Sequence, residues 1–191
     1  MKKLTLVVLF LGSVHCLFAQ TGNGISWSMS LVNKAGDGLP FTRPADMKEG
    51  DEFSLHIKLD EDAYCYVVAE DSDRNIAVLH KALQSAGSET VLGPMLLTPP
   101  AGSETLYVIV SKEAKTGLEN KIAALMADGG SRRAGRELLG EVFTLRRETS
   151  QFKKNPEKPV AMGGAFRSGK KTEGTVFSGA AMYVETVVVK H

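Results

Sequence analysis

The chain has 191 residues, with 23 basic and 22 acidic side chains, so its net charge is close to zero. This balance excludes a general electrostatic attraction for nucleic acid, and we expect no nucleic-acid partner. Residues 20–191 are enough for one domain with its own hydrophobic core, and none of their apolar stretches is long enough to span a membrane.

Residues 1–19 have the pattern of a secretory signal peptide. Lys2 and Lys3 supply positive charge, residues 4–11 (LTLVVLFL) are apolar, and Ala19 is a small residue suited to cleavage. We therefore expect an exported protein of a bacterial cell envelope, either periplasmic or secreted. Lipid attachment through Cys16 is disfavoured, because His15 stands where a small residue is required.

Alternation of apolar and polar residues predicts strands in the first half of the remaining chain. Residues 25–31 read as a half-buried strand with its serines facing solvent. A second strand opens at Gly50 and directs Phe53, Leu55, Ile57 and Leu59 inward, so that His56 faces solvent. Residues 64–69 and 106–110 are denser apolar runs, which are typical of central strands buried on both faces.

The turns between these strands carry characteristic residues. Residues 64–80 read as a β-hairpin with a turn over residues 72–75, in which Asn75 is able to take positive φ. Residues 81–89 read as a polar loop. Residues 90–97 carry Pro94, which predicts an edge strand, because proline cannot donate a ladder hydrogen bond.

Helical spacing begins after residue 111. Leu118, Ile122 and Leu125 predict a helix over about 117–128 that stops before two glycines. Residues 133–139 favour a second helix and 142–145 a strand, although the pattern does not separate the two well.

The end of the chain completes a mainly β fold. Residues 151–171 read as a long basic loop, and 182–190 as a strand that closes the fold. We predict an antiparallel β-sandwich, immunoglobulin-like or related, over a single domain of residues 20–191. The fold includes one or two short helices, one of which would cap an end or an edge.

The acidic residues suggest two chemistries. Asp71, Asp73 and Asn75 have the spacing of a calcium loop, but Ala82 stands where a bidentate glutamate is needed, so the pair Asp71 and Asp73 is a weak calcium candidate and a hairpin turn explains it better. A hydrolase would need paired carboxylates, which Asp60, Asp62, Asp71 and Asp73 would provide if they met in one cleft.

The basic residues concentrate late in the chain. Residues 132–171 contain eleven basic and four acidic side chains. Residues 164–171 (GAFRSGKK) nearly match a phosphate-binding loop, but Lys171 replaces the required Ser or Thr. We expect no cofactor there, and Arg167, Lys170 and Lys171 instead form a candidate surface for an anionic partner.

The remaining reactive types favour a structural interpretation. Cys65 is the only cysteine outside the predicted signal peptide, so the domain contains no internal disulfide. It lies in an apolar strand, where desolvation disfavours a thiolate, and it is therefore expected to be inert. Trp27 and the tyrosines are expected to fill the core rather than to form a sugar-stacking platform.

Part of the chain resembles a bacterial family described as domain of unknown function 4384. The similar segments are residues 48–51 (KEGD), 64–68 (YCYVV), 71–79 (DSDRNIAVL) and, most specifically, 99–111 (PPAGSETLYVIVS). The resemblance covers about residues 47–113 and implies a β-rich module in exported or membrane-linked proteins. It implies no catalytic residues.

These observations favour a non-catalytic interaction module that contacts another envelope protein or a glycan. Two alternatives are a secreted hydrolase that uses the acidic hairpin ends and a calcium-stabilised structural module.

Overall fold

The computed structural model describes residues 24–40, 43–150, 159–162 and 172–191. It contains eleven strands and two helices in this part of the chain. In order they are β1 (Ile25–Asn33), β2 (Gly38–Leu39), β3 (Ala45–Asp46), β4 (Glu52–Leu59), β5 (Ala63–Glu70), β6 (Ile76–Gln84), β7 (Glu89–Leu96), β8 (Ser103–Ser111), α1 (Thr116–Ala127), α2 (Arg132–Ser150), β9 (Pro159–Met162), β10 (Thr172–Ala180) and β11 (Met182–Lys190).

The strands form two sheets. The first has the order β7-β4-β1-β10-β9, with β2 paired to β1, and the second has the order β3-β11-β8-β5-β6. Neighbours are antiparallel throughout except for β3 and β11, which are parallel. The predicted β-sandwich is therefore confirmed.

The main core lies between the two sheets. β1 and β4 of the first sheet alternate large apolar residues toward it, and β5, β8 and β11 of the second sheet do the same from the other side. Trp27 is fully buried in this core, and its ring stacks on Phe177 with centroids 4.4 Å apart. Apolar residues at every second position thus form the expected hydrophobic layer between the two sheets.

A second core lies on the opposite face of the second sheet, beneath the two helices. Tyr66, Val68 and Ile109 of the sheet pack there against Leu118 and Leu138 of the helices. One helix was expected at an end or an edge of the sandwich, and this expectation is wrong. Strands β5 and β8 are apolar on both faces, so their outer face also needs cover, and the helices provide it.

Most predicted strands are confirmed, but polar side chains of β1 and β4 that were expected to face solvent are buried. Ser28 and Ser30 are buried, although they were expected to face solvent. β1 is an inner strand of its sheet, and Ser30 lies directly opposite His56 of β4. His56 is itself buried and its Nδ1 lies 3.0 Å from Oε1 of Glu89, so its predicted exposure is wrong.

The elements after residue 111 differ most from expectation. α1 is confirmed, whereas the segment divided between a helix and a strand is one long helix, α2. The residues from 81 to 84 extend β6 rather than forming a loop, and β9 lies inside the stretch predicted to be a long loop. β11 is the predicted closing strand, and β10 before it was not predicted.

The hairpin between β5 and β6 turns on Arg74 rather than on Asn75. Arg74 has φ of 66°, and it is the one non-glycine residue at positive φ among the described residues. The turn is fixed by Asp71, whose side chain accepts hydrogen bonds from the backbone and the side-chain amide of Asn75 at 2.7 and 2.9 Å. The prediction placed the left-handed residue one position too late.

Candidate functional site

The acidic calcium candidates lie in that hairpin turn. Both carboxylate oxygens of Asp71 already accept hydrogen bonds from Asn75, so Asp71 stabilises the turn. Over the residues that the structure describes, no group of three or more His, Cys, Asp or Glu side chains is arranged to hold a metal ion. The calcium site at Asp71 and Asp73 stays a prediction.

The acidic residues do not meet in one cleft. Asp60 and Asp62 precede β5, and Asp71 and Asp73 follow it, so the eight residues of β5 separate the two pairs. A strand of that length spans about 25 Å. Asp60 accepts from Ser26 and Asp62 from the backbone of Ala86. A hydrolase would need these carboxylates to meet in one cleft, and the two pairs lie at opposite ends of β5 instead.

Cys65 is fully buried between the sheets, as expected. Burial raises the pKa of its thiol to about 12, so the thiol stays protonated at neutral pH. The basic candidates Arg167, Lys170 and Lys171 lie outside the described residues.

A polar cluster joins the two sheets at their edge strands β6 and β7. The side-chain amide of Gln84 lies 2.7 Å from Nε2 of His80 and also donates to the hydroxyl of Thr90. Burial lowers the pKa of His80, which favours a neutral imidazole at this contact.

We expect His80 to make the protein less stable in mild acid. The unfolded chain binds a proton at His80 more readily than the folded protein does. The contribution of neutral His80 to the free energy of unfolding is therefore complete well above pH ~6.5, and it is lost as the pH falls below that value. Urea unfolding between about pH 8 and about pH 5.5 measures the effect. His80→Gln should flatten this dependence, and an unchanged pH profile in that variant would contradict the assignment.

A surface at the flank of α2, beside Tyr107 of β8 and the hairpin between β5 and β6, combines arginines with an exposed aromatic ring. Phe143 of α2 is 42% exposed, and it lines a shallow depression of about 540 Å³ together with Gly140, Arg146 and Arg147. We call Arg74, Phe143, Arg146 and Arg147 the arginine surface. In a helix, the positions three and four residues from Phe143 are its neighbours, and here they hold Leu139, Gly140, Arg146 and Arg147 with no carboxylate.

The ring of Phe143 is held in place from below. It packs edge-on against Tyr107 of β8, with centroids 5.7 Å apart. The hydroxyl of Tyr107 donates to Oε2 of Glu70 at 3.0 Å, and Nη1 of Arg74 donates to Oε1 of the same carboxylate at 2.8 Å. Both oxygens of the buried Glu70 are therefore engaged, and the chain of contacts connects the hairpin turn to α2.

Positive charge converges on this point from two elements. Burial, and next the charge of Glu70, raise the pKa of Tyr107 to about 12, while the charges of Arg146 and Arg74 oppose this rise. Both guanidinium groups therefore lie within electrostatic range of the phenol. Arg74 comes from the hairpin turn and Arg146 from α2, so the fold collects charges that are far apart in sequence.

The backbone at Arg74 adds a separate observation. Glycine adopts positive φ without steric cost, whereas a residue with a side chain is strained there. The turn carries arginine instead, and its side chain is 81% exposed beyond the contact with Glu70. Arg74 therefore neutralises a buried carboxylate with one end of its guanidinium group and leaves most of the group at the surface, where it can contact a partner.

Other exposed apolar side chains lie on the edge strands. They are Leu79 and Leu83 of β6 and Val91 and Leu96 of β7, to which α1 adds Met126. Leu83 and Leu96 are more exposed than Phe143, at 61% and 57%. None of them lines the depression at Phe143, so Leu83 and Leu96 serve below as matched controls.

The sequence predicts that the late part of the chain is basic, but it does not predict the arginine surface. The basic character of residues 132–171 was recognised, but it was assigned to residues 167–171. The usable signal was Phe143, an apolar residue outside the buried stripe of α2 at Leu138, Val142 and Leu145.

The described residues contain no helix long and apolar enough to cross a membrane. Comparison of the chain with protein-family models, with curated proteins and with solved structures found no match. The resemblance to the family of domain of unknown function 4384 therefore stays a prediction.

Proposed function

We propose that this protein is a non-catalytic interaction module of a bacterial cell envelope, and that it is exported by its first 19 residues. Its partner is an envelope protein or a glycan, which it contacts through the arginine surface. The observation that carries the proposal is the exposed ring of Phe143 in a depression rimmed by arginines.

The chemistry of this surface supports binding rather than catalysis. Aromatic and arginine side chains are the residues that most often dominate binding energy at protein interfaces. Here the ring is supported by Tyr107 and the second core, so little conformational freedom is lost when a partner covers it. Arginine, with its planar charged group, also suits recognition of oxyanions.

The variant Phe143→Ala tests the proposal. We expect retention of the envelope partner to fall at least about tenfold, because the largest apolar contact at the surface is removed. Chemical cross-linking in the producing cells, followed by quantification of the cross-linked partner, measures this retention.

The control is Leu83→Ala, which removes a more exposed apolar side chain from β6. It should retain the partner as the unmodified protein does. Circular dichroism establishes that both variants fold. Equal retention by both variants, or equal loss in both, would contradict the proposal.

A further inference from the structure

The arginine surface also constrains the chemistry of its partner. We infer that it binds an acidic protein segment in which an apolar side chain is flanked by carboxylates. This inference rests on the proposed function and specifies the partner within it.

Charge complementarity requires an anionic partner. Arg146 and Arg147 line the depression beside the exposed ring, and Arg74 lies at the hairpin end of the contact chain, where it and Tyr107 engage the buried Glu70. In the described part of the chain Arg146 makes no ion pair with a carboxylate. Since Glu70 offsets Arg74, the excess positive charge of the surface comes from Arg146, and a carboxylate of a partner would neutralise it through charge-assisted hydrogen bonds.

The shape of the surface selects among anionic partners. The depression between Gly140 and Phe143 is concave and apolar, so it accepts an apolar side chain that projects from the partner. A bilayer surface is flat and cannot fill it, and a neutral sugar that stacks on the phenyl ring brings no charge to neutralise the guanidinium groups. A peptide supplies both the projecting side chain and the flanking charges.

Binding of synthetic peptides tests the inference. The probe is a fluorescently labelled peptide of seven residues, with a central leucine flanked by aspartate and glutamate. It is added to the protein as purified from the producing cells, without truncation. Its matched partner has asparagine and glutamine in place of the acids. We expect binding of the acidic peptide only, with weakening when salt is raised from about 0.05 M to about 0.5 M.

Three variants locate the binding. Arg146→Gln and Arg74→Gly should each weaken binding about tenfold, because each removes a charge that faces the ligand. Arg74→Gly relieves the positive φ but removes the donor to Oε1 of Glu70, so circular dichroism first establishes that this variant folds. Arg132→Gln removes the same charge about 21 Å away along α2 and should change nothing.

Several results would overturn the inference. They are equal binding of the amide peptide, no binding of the acidic peptide, an equal loss in Arg132→Gln, or binding of phosphatidylglycerol vesicles in place of the peptide. If Phe143→Ala still abolishes retention of the cellular partner in that case, the proposed function stands and only the chemistry assigned to the partner is wrong.

Discussion

Trp27→Ala should cost about 3–5 kcal/mol in the free energy of unfolding, because it removes a large ring from a close-packed core. Trp27 is fully buried between the sheets and contacts Phe177 and Tyr183 by stacking and edge-on packing. The surrounding strands are fixed by ladders on both sides of β1 and cannot collapse into the space. Urea unfolding followed by circular dichroism measures the loss.

Trp27→Phe is the matched comparison. The indole nitrogen of Trp27 is buried, with no hydrogen-bond partner in the described part of the chain. Phenylalanine keeps the aromatic contact and removes this unsatisfied donor, so it should cost less than about 1.5 kcal/mol. Equal losses in the two variants would show that packing of the ring is not what stabilises the core.

Glu70→Ala should cost about 2–3 kcal/mol, because the buried hydroxyl of Tyr107 loses its charged acceptor. The two side chains are 8% and 5% exposed, so water reaches the orphaned donor poorly. The variant also frees Arg74 from its partner at 2.8 Å. Urea unfolding at neutral pH checks this value.

The comparison for this change is Glu70→Gln, whose side-chain oxygen still accepts from Tyr107. It should cost clearly less than the alanine variant. Tyr107→Phe in the background of Glu70→Ala should recover part of the loss, since the unsatisfied hydroxyl is then absent. A double variant that is no more stable than Glu70→Ala would rule out this hydrogen bond as the source.

The sequence predicted the sandwich because burial between sheets imposes a period of two. Residues 53–59 alternate apolar and polar side chains, and residues 106–110 form the continuous apolar run of a central strand, so the sequence alone predicts both strands. The long helix α2 was harder to predict, because Gly135, Gly140 and Val142 lower helix propensity within it. Packing of Leu138 and Leu145 against the second sheet outweighs that propensity.

Whether a polar side chain of a strand is buried depends on neighbouring strands that are distant in sequence, so the local pattern does not predict it. His56 lies on the polar side of β4 and would face solvent in an isolated hairpin. Glu89 of β7 and Ser30 of β1 lie beside it in the sheet, so it is buried. The two acidic segments were misplaced for a related reason, because residues 60–62 connect β4 of the first sheet to β5 of the second, and residues 71–75 turn at the far end of β5.

The arginine surface was beyond prediction because it joins distant segments. Arg74 and Arg146 are 72 residues apart in sequence, and only the pairing of β5 with β8, together with the seating of α2, brings them to one tyrosine. A basic composition predicts an anionic partner but not which basic residues converge.

The most direct test of the binding role replaces Phe143 with a photo-cross-linking phenylalanine analogue in the producing cells. The same analogue at Leu96, which is 57% exposed on β7, is the control for accessibility. We predict one discrete adduct from position 143, its loss when Arg146→Gln is added, and no adduct from position 96. Cross-linking from position 96 alone, or from neither position, would contradict an interaction through the arginine surface.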